Sequence, residues 1–89
     1  MKYYIRVNLE VGEKEFTPTY YTGDLNGEDV SEDQSLSVHR EEAKSFFSLR
    51  NLQEEVVPSL KQHLRHIGLD GYQIQVVGKS YNNQEVIKF

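Results

Sequence analysis

Residues 2–11 alternate without a break, and this run constrains the chain more than any other. Tyr3, Ile5, Val7, Leu9 and Val11 fall on one parity, and Lys2, Tyr4, Arg6, Asn8 and Glu10 on the other. A period of two puts the first set on one side of an extended backbone, which is the signature of a half-buried strand. Gly12 opens a turn, and residues 15–22 continue as a second strand with Phe16, Pro18 and Tyr20 sharing a parity. A two-residue loop at Gly12-Glu13 sets Leu9 against Phe16, Val7 against Pro18 and Ile5 against Tyr20. A four-residue loop also keeps apolar side chains together, and it avoids facing Glu10 with Glu15. Both registers stay open. Pro18 has no N–H to give a ladder, which places this strand at a sheet edge.

The second strong pattern is helical. Leu49, Leu52, Val56, Leu60, Leu64 and Ile67 recur at spacings of three and four, the stripe of an amphipathic helix. Ser48 suits the N-cap and Gly68 the left-handed position after the C-terminus. Pro58 lies almost opposite the stripe, and the stripe stays in phase across it. One kinked helix is therefore expected rather than two.

Between these patterns lies an acidic loop at about 23–35, rich in Gly, Asn and carboxylates and expected to be flexible. Leu36 and Val38 suggest a short third strand, and residues 40–47 read equally as a helical turn or as an extended run carrying Phe46 or Phe47 inward. After Asp70-Gly71, residues 72–80 form another strand. A two-residue turn at Asn82-Asn83 would set Val76 against Phe89, Gly78 against Ile87 and Ser80 against Glu85. That register gathers Ile74, Val76, Ile87 and Phe89 on one face. The order β-β-β-α-β-β predicts a single α+β domain over residues 1–89, a mainly antiparallel sheet with the helix on one face.

Composition narrows the function classes. The 89 residues carry a formal charge of −4 and include no cysteine. An acidic balance argues against a general nucleic-acid binder, and the lack of thiols removes disulfide and thiolate chemistry. Six tyrosines and four phenylalanines favour a packed core over disorder. Neither a secretory leader nor an apolar run of membrane-spanning length is present in the sequence, so a cytoplasmic protein without a membrane partner is expected.

Motifs for chemistry are weak. Gly78-Lys79-Ser80 resembles the end of a phosphate loop, but Gln73 stands where that motif needs glycine. A calcium loop counted from Asp24 meets Asp29 and Ser35 where glycine and glutamate belong. His63 and His66 share a helix face without an evident third ligand, and a partly buried histidine bonded to a tyrosine or a carbonyl is the plainer reading. No catalytic residue, metal site or cofactor is therefore assigned, and the chain is read as a non-enzyme.

The remaining candidate is the sheet face away from the helix. Alternation sends Tyr4, Arg6 and Asn8 to it, with Thr17, Thr19 and Tyr21 from the second strand and Val77 and Val86 adding to it. Tyr4, Arg6, Thr19 and Tyr21 form the expected interaction surface, with the two tyrosines exposed in the monomer. The reading is a small protein-interaction module, binding a protein partner or a second copy of itself. The alternatives are base stacking of a single-stranded nucleic acid on the tyrosines and docking of the acidic loop on a basic partner.

Overall fold

The computed structural model describes residues 2–79 and 85–87. Its strands are β1 (Lys2–Gly12), β2 (Glu15–Tyr21), β3 (Leu36–Ser37), β4 (Tyr72–Lys79) and β5 (Glu85–Ile87). They form one antiparallel sheet in the order β3-β2-β1-β4-β5. A single long helix packs on one face, as the α+β expectation required. Its side chains Leu52, Val57, Leu60, Leu64 and Ile67 meet Ile5, Val7, Tyr21 and Val76 in the core.

The helix runs through residues 49–66 as α1 (Leu49–Asn51), a π turn (Leu52–Val56) and α2 (Val57–His66). Ser48 Oγ caps it by accepting from Asn51 N at 3.2 Å. The π turn has a local cause. Pro58 has no N–H to offer the carbonyl four residues back, and the amide of Val57 donates five residues back, to Leu52 O. One extra residue in the turn advances the apolar stripe, so Val57 is buried after Leu52, where Val56 was expected, and Val56 only half-buried. Beyond the helix Gly68 takes φ +82°. Gly68 N donates to Arg65 O and Leu69 N to Leu64 O, the paired bonds of a Schellman end. Leu69 then packs against the core.

Residues 40–47 combine both expected conformations. Arg40–Glu42 is a 3-10 turn, and the chain then extends so that Phe46 exchanges two backbone bonds with Tyr3, of 2.8 and 2.7 Å. Phe46 thereby occupies the place beside β1 that β2 has left, and its ring stacks on Tyr21 at 6.2 Å.

Two registers differ from expectation. In the first hairpin Arg6 faces Tyr20, Leu9 faces Thr17 and Glu10 faces Phe16, whereas Gly12 faces Glu15. Val11 is therefore an extra residue, a β-bulge, and the pairing falls midway between the two proposed registers. A slip of one residue turns every side chain of β2 over. Thr17, Thr19 and Tyr21 face the helix, and Phe16, Pro18 and Tyr20 face away. At the other edge Val77 faces Ile87 and Gly78 faces Val86, again one residue from the expected pairing. Ile87 consequently lies on the face away from the helix, and Val86 on the helix side. The expected Asn82-Asn83 turn and the partners Ser80 and Phe89 lie outside the described residues.

β2 is not the edge strand that Pro18 led the sequence to suggest, because β3 lies outside it, yet the position of Pro18 still suits its chemistry. β3 pairs only with Tyr20 and Tyr21, so the flank of β2 at Pro18 has no neighbour among the described residues. Thr22 N donates outward to Ser35 O, and residues of the same parity, Pro18 included, present their backbone groups to that side. The missing N–H thus falls where the β1–β2 ladder does not need one.

Candidate interaction surface

The bulge at Val11 divides the expected surface. Tyr4 and Arg6 lie on the face away from the helix, called the outer face below. Thr19 and Tyr21 lie on the helix side. Thr19 Oγ donates to Val7 O at 2.8 Å, and Tyr21, only 5% exposed, belongs to the core. Their expected exposure is corrected, and the cause is the bulge.

Tyr4 does point outward, but it is only 8% exposed. Its phenol donates to Glu85 Oε1 at 2.8 Å, and the Arg40 guanidinium lies 5.4 Å from its ring centre. Arg40 also reaches the same Glu85 oxygen at 2.6 Å. The 3-10 turn and β5 thus clasp one end of the outer face across Tyr4, with Val77 fully buried on β4 beneath the same end. A ring that stacks under a guanidinium while its hydroxyl meets a carboxylate is not free for a partner.

The rest of the outer face is open. Phe16, Pro18 and Tyr20 follow one another along β2, with Phe16 44% exposed, Pro18 exposed and Tyr20 half-buried. Tyr20 leans on Tyr4 at 5.9 Å between ring centres. Beside this row Gln75 Oε1 accepts from Arg6 Nε at 2.9 Å and from Asn8 Nδ2 at 3.0 Å. This fixes a polar strip next to the apolar one. The alternation argument placed Phe16, Pro18 and Tyr20 in the core because they are more apolar than Thr17, Thr19 and Tyr21. Only a marker for the bulge would have reversed that choice, and Val11 carries none.

Burial and charge also act on the tyrosine hydroxyls. Burial, then the hydrogen bond and negative charge of Glu85, push Tyr4 up to about 12, against the opposing pull of Arg40 and Arg6. Burial and the charge of Asp24 raise Tyr21. The folded protein therefore holds these protons where an unfolded chain has lost them, and folding stability falls as pH rises from about 10 to 12. Ultraviolet titration should show a subset of the six tyrosines ionising late, with Tyr4→Phe removing the last of them. Ionisation of every tyrosine together near pH 10 would contradict the clasp over Tyr4.

His63 and His66 find partners in the acidic loop. His63 Nε2 lies 2.9 Å from Asp33 Oδ1, and both side chains are buried. The expected tyrosine or carbonyl partner is thus replaced by a carboxylate. Asp33 also accepts from Ser35 N at 3.1 Å and from Ser35 Oγ at 2.7 Å. One turn further on, His66 Nε2 lies 3.5 Å from Glu28. Within the loop, Asp24 accepts from Asn26 N, and Asp29 accepts from Ser31 Oγ and Glu32 N. Gly27 takes φ +116° where an added Cβ would meet Glu32 O at 2.8 Å, so the loop folds back on itself there.

Serine, aspartate and histidine are together here, but not in a nucleophilic order. Ser35 and His63 both donate to Asp33, and Ser35 is fully buried. An activated serine needs the ring nitrogen against its own hydroxyl and an open approach for substrate. The cluster therefore serves to moor the loop to the helix. No group of three or more His, Asp or Glu side chains is placed to share a metal ion among the described residues.

No protein family, curated protein or solved structure matches this chain at a significance that would show kinship. No helix among the described residues is long and apolar enough to cross a membrane.

Proposed function

We propose that this protein is a non-catalytic interaction module that pairs with a second copy of itself through the open part of its outer sheet face. The observation that carries this reading is the row Phe16, Pro18 and Tyr20, which stands beside the strip of Arg6, Asn8 and Gln75 on a face that has no covering layer among the described residues. Aromatic side chains and arginine are the types that interface centres enrich, with hydrogen-bonding groups at the rim. The row runs along one strand, so a two-fold axis through it sets each copy's row against the other's in an isologous contact.

The competing readings have less support. Base stacking on the sheet loses Tyr4 and Tyr21, whose rings are buried. Docking through the acidic loop loses Asp33 and Glu28, which already meet His63 and His66.

Light scattering after size-exclusion chromatography tests the proposal. The protein should elute as a dimer that dissociates on dilution, and Tyr20→Glu combined with Phe16→Glu should make it monomeric at every concentration with its circular dichroism unchanged. A chain that is monomeric at millimolar concentration, or a dimer indifferent to this double change, would rule the proposal out.

A further inference from the structure

At the clasped end of the outer face lies an open groove of about 450 Å³, and its lining includes Lys2, Tyr4, Arg40, Ser45 and Lys79. Its charge is unusual for an acidic chain. Lys2 and Lys79 are direct cross-strand partners on β1 and β4, and both point to the outer face. Like charges set opposite one another on neighbouring strands repel and destabilise the pair. Neither ammonium has a carboxylate within 4.0 Å among the described residues. Glu85 is the cross-strand neighbour of Lys79 on β5, but its carboxylate is taken up by Arg40 and the Tyr4 phenol. Arg40 adds a third cation at the wall, held in place by Glu85 and by the Tyr4 ring. Glu41 also lines the groove and opposes an anion there, but it is highly exposed and its carboxylate is turned to within 3.9 Å of His39 Nδ1.

We infer that this groove binds a phosphomonoester, held between the Lys2 and Lys79 ammonium groups with Arg40 and the Ser45 hydroxyl at its wall. Charge count selects this group over other anions. With Glu85 engaged by Arg40, the two ammonium groups that make no ion pair among the described residues match the −1.5 to −2 of a phosphomonoester at neutral pH, about twice the charge of a carboxylate or of one phosphate in a nucleic-acid backbone. A bound dianion also removes the lysine–lysine repulsion that the register imposes, so binding and fold stability reinforce each other. Arg40 needs no rearrangement, because Glu85 and Tyr4 already orient it. The groove adjoins the Phe16–Tyr20 row only where Tyr20 leans on Tyr4, and none of Phe16, Pro18 and Tyr20 lines it. The phosphate could reach the groove on a phosphorylated peptide or on a small phosphomonoester, and both present the same chemistry.

Amide chemical-shift titration of the full chain with inorganic phosphate, a phosphoserine peptide, its unphosphorylated form and a short single-stranded RNA tests the inference. Shifts on adding phosphate should be confined to Lys2, Tyr4, Arg40, Ser45, Lys79 and their neighbours. Lys79→Gln and Lys2→Gln should each weaken binding at least about tenfold, the value of one unit charge against −1.5 to −2 at about 4 Å in water, whereas the remote Lys61→Gln should leave it unchanged. A phosphoserine peptide that binds more tightly than inorganic phosphate assigns the group to a protein; equal binding assigns it to a small phosphomonoester. Shifts scattered over the surface, or unaltered by either lysine change, would mean an adventitious ion only and overturn the site. RNA binding more tightly than both inorganic phosphate and the phosphoserine peptide through the same residues would overturn the choice of ligand. Diffusion measured on the same samples reports the oligomeric state independently. A phosphate-binding monomer retains the groove and removes self-association, and a phosphate-blind dimer does the reverse.

Discussion

Leu60→Ala should lower the unfolding free energy by about 2–5 kcal/mol. Leu60 is fully buried, and it sits in the core where the helix meets Ile5, Val7 and Val76. The π turn ahead of Pro58 fixes which helical residues reach the sheet, and among the described residues the helix has no second layer against which to re-pack. A cavity there cannot close without moving the helix as a body. The expected loss is a large share of the roughly 4–13 kcal/mol that a chain of 89 residues commands. Urea denaturation measures it, and a loss below about 1 kcal/mol would contradict the packing of helix on sheet.

Asp33→Ala should cost about 3 kcal/mol or more, since an unpaired buried donor costs about 1–3 kcal/mol and this change orphans several. His63 Nε2, Ser35 N and Ser35 Oγ all lose their acceptor. Ser35 is fully buried and His63 nearly so, so water does not readily replace the carboxylate. Asp33→Asn keeps one acceptor oxygen and should fall between alanine and the native chain. Hydrogen exchange should quicken in the loop from Thr22 to Ser35 in the alanine variant, because its mooring to the helix is gone. Asp29→Asn, which touches only the exposed Ser31 and Glu32, should leave the unfolding midpoint almost unchanged. Equal effects from Asp33→Ala and Asp29→Asn would contradict the buried role of Asp33.

These two variants also mark what the sequence made legible. The core around Leu60 was readable because β1 alternates strictly and the helix repeats at three and four. The caps at Ser48 and Gly68 have plain chemistry. The role of Asp33 was not readable, because its partner His63 is thirty positions away and one acidic residue among several in a loop carries no local mark. Face assignment on β2 failed for a different reason. A bulge at Val11 inserts one residue, and period-two reasoning inverts the whole strand when the count is off by one. The slip at β4–β5 has the same arithmetic. Sequence therefore identified the outer face and placed Tyr4 and Arg6 on it, but exchanged the β2 residues that belong to that face for those that belong to the core. Arg40 escaped notice as well, since nothing in residues 40–47 announces that a 3-10 turn folds back over Tyr4.

The central claim is that Phe16, Pro18 and Tyr20 of one copy lie against the same row of another. An isotope-filtered nuclear Overhauser experiment on an equal mixture of labelled and unlabelled protein reads this contact directly. Cross-peaks should join the ring protons of Phe16 and Tyr20 in one copy to Pro18 and Tyr20 in the other, and they should vanish in the Phe16→Glu, Tyr20→Glu double variant. No intermolecular cross-peaks at millimolar concentration, or cross-peaks confined to the helix and the acidic loop, would contradict the claim.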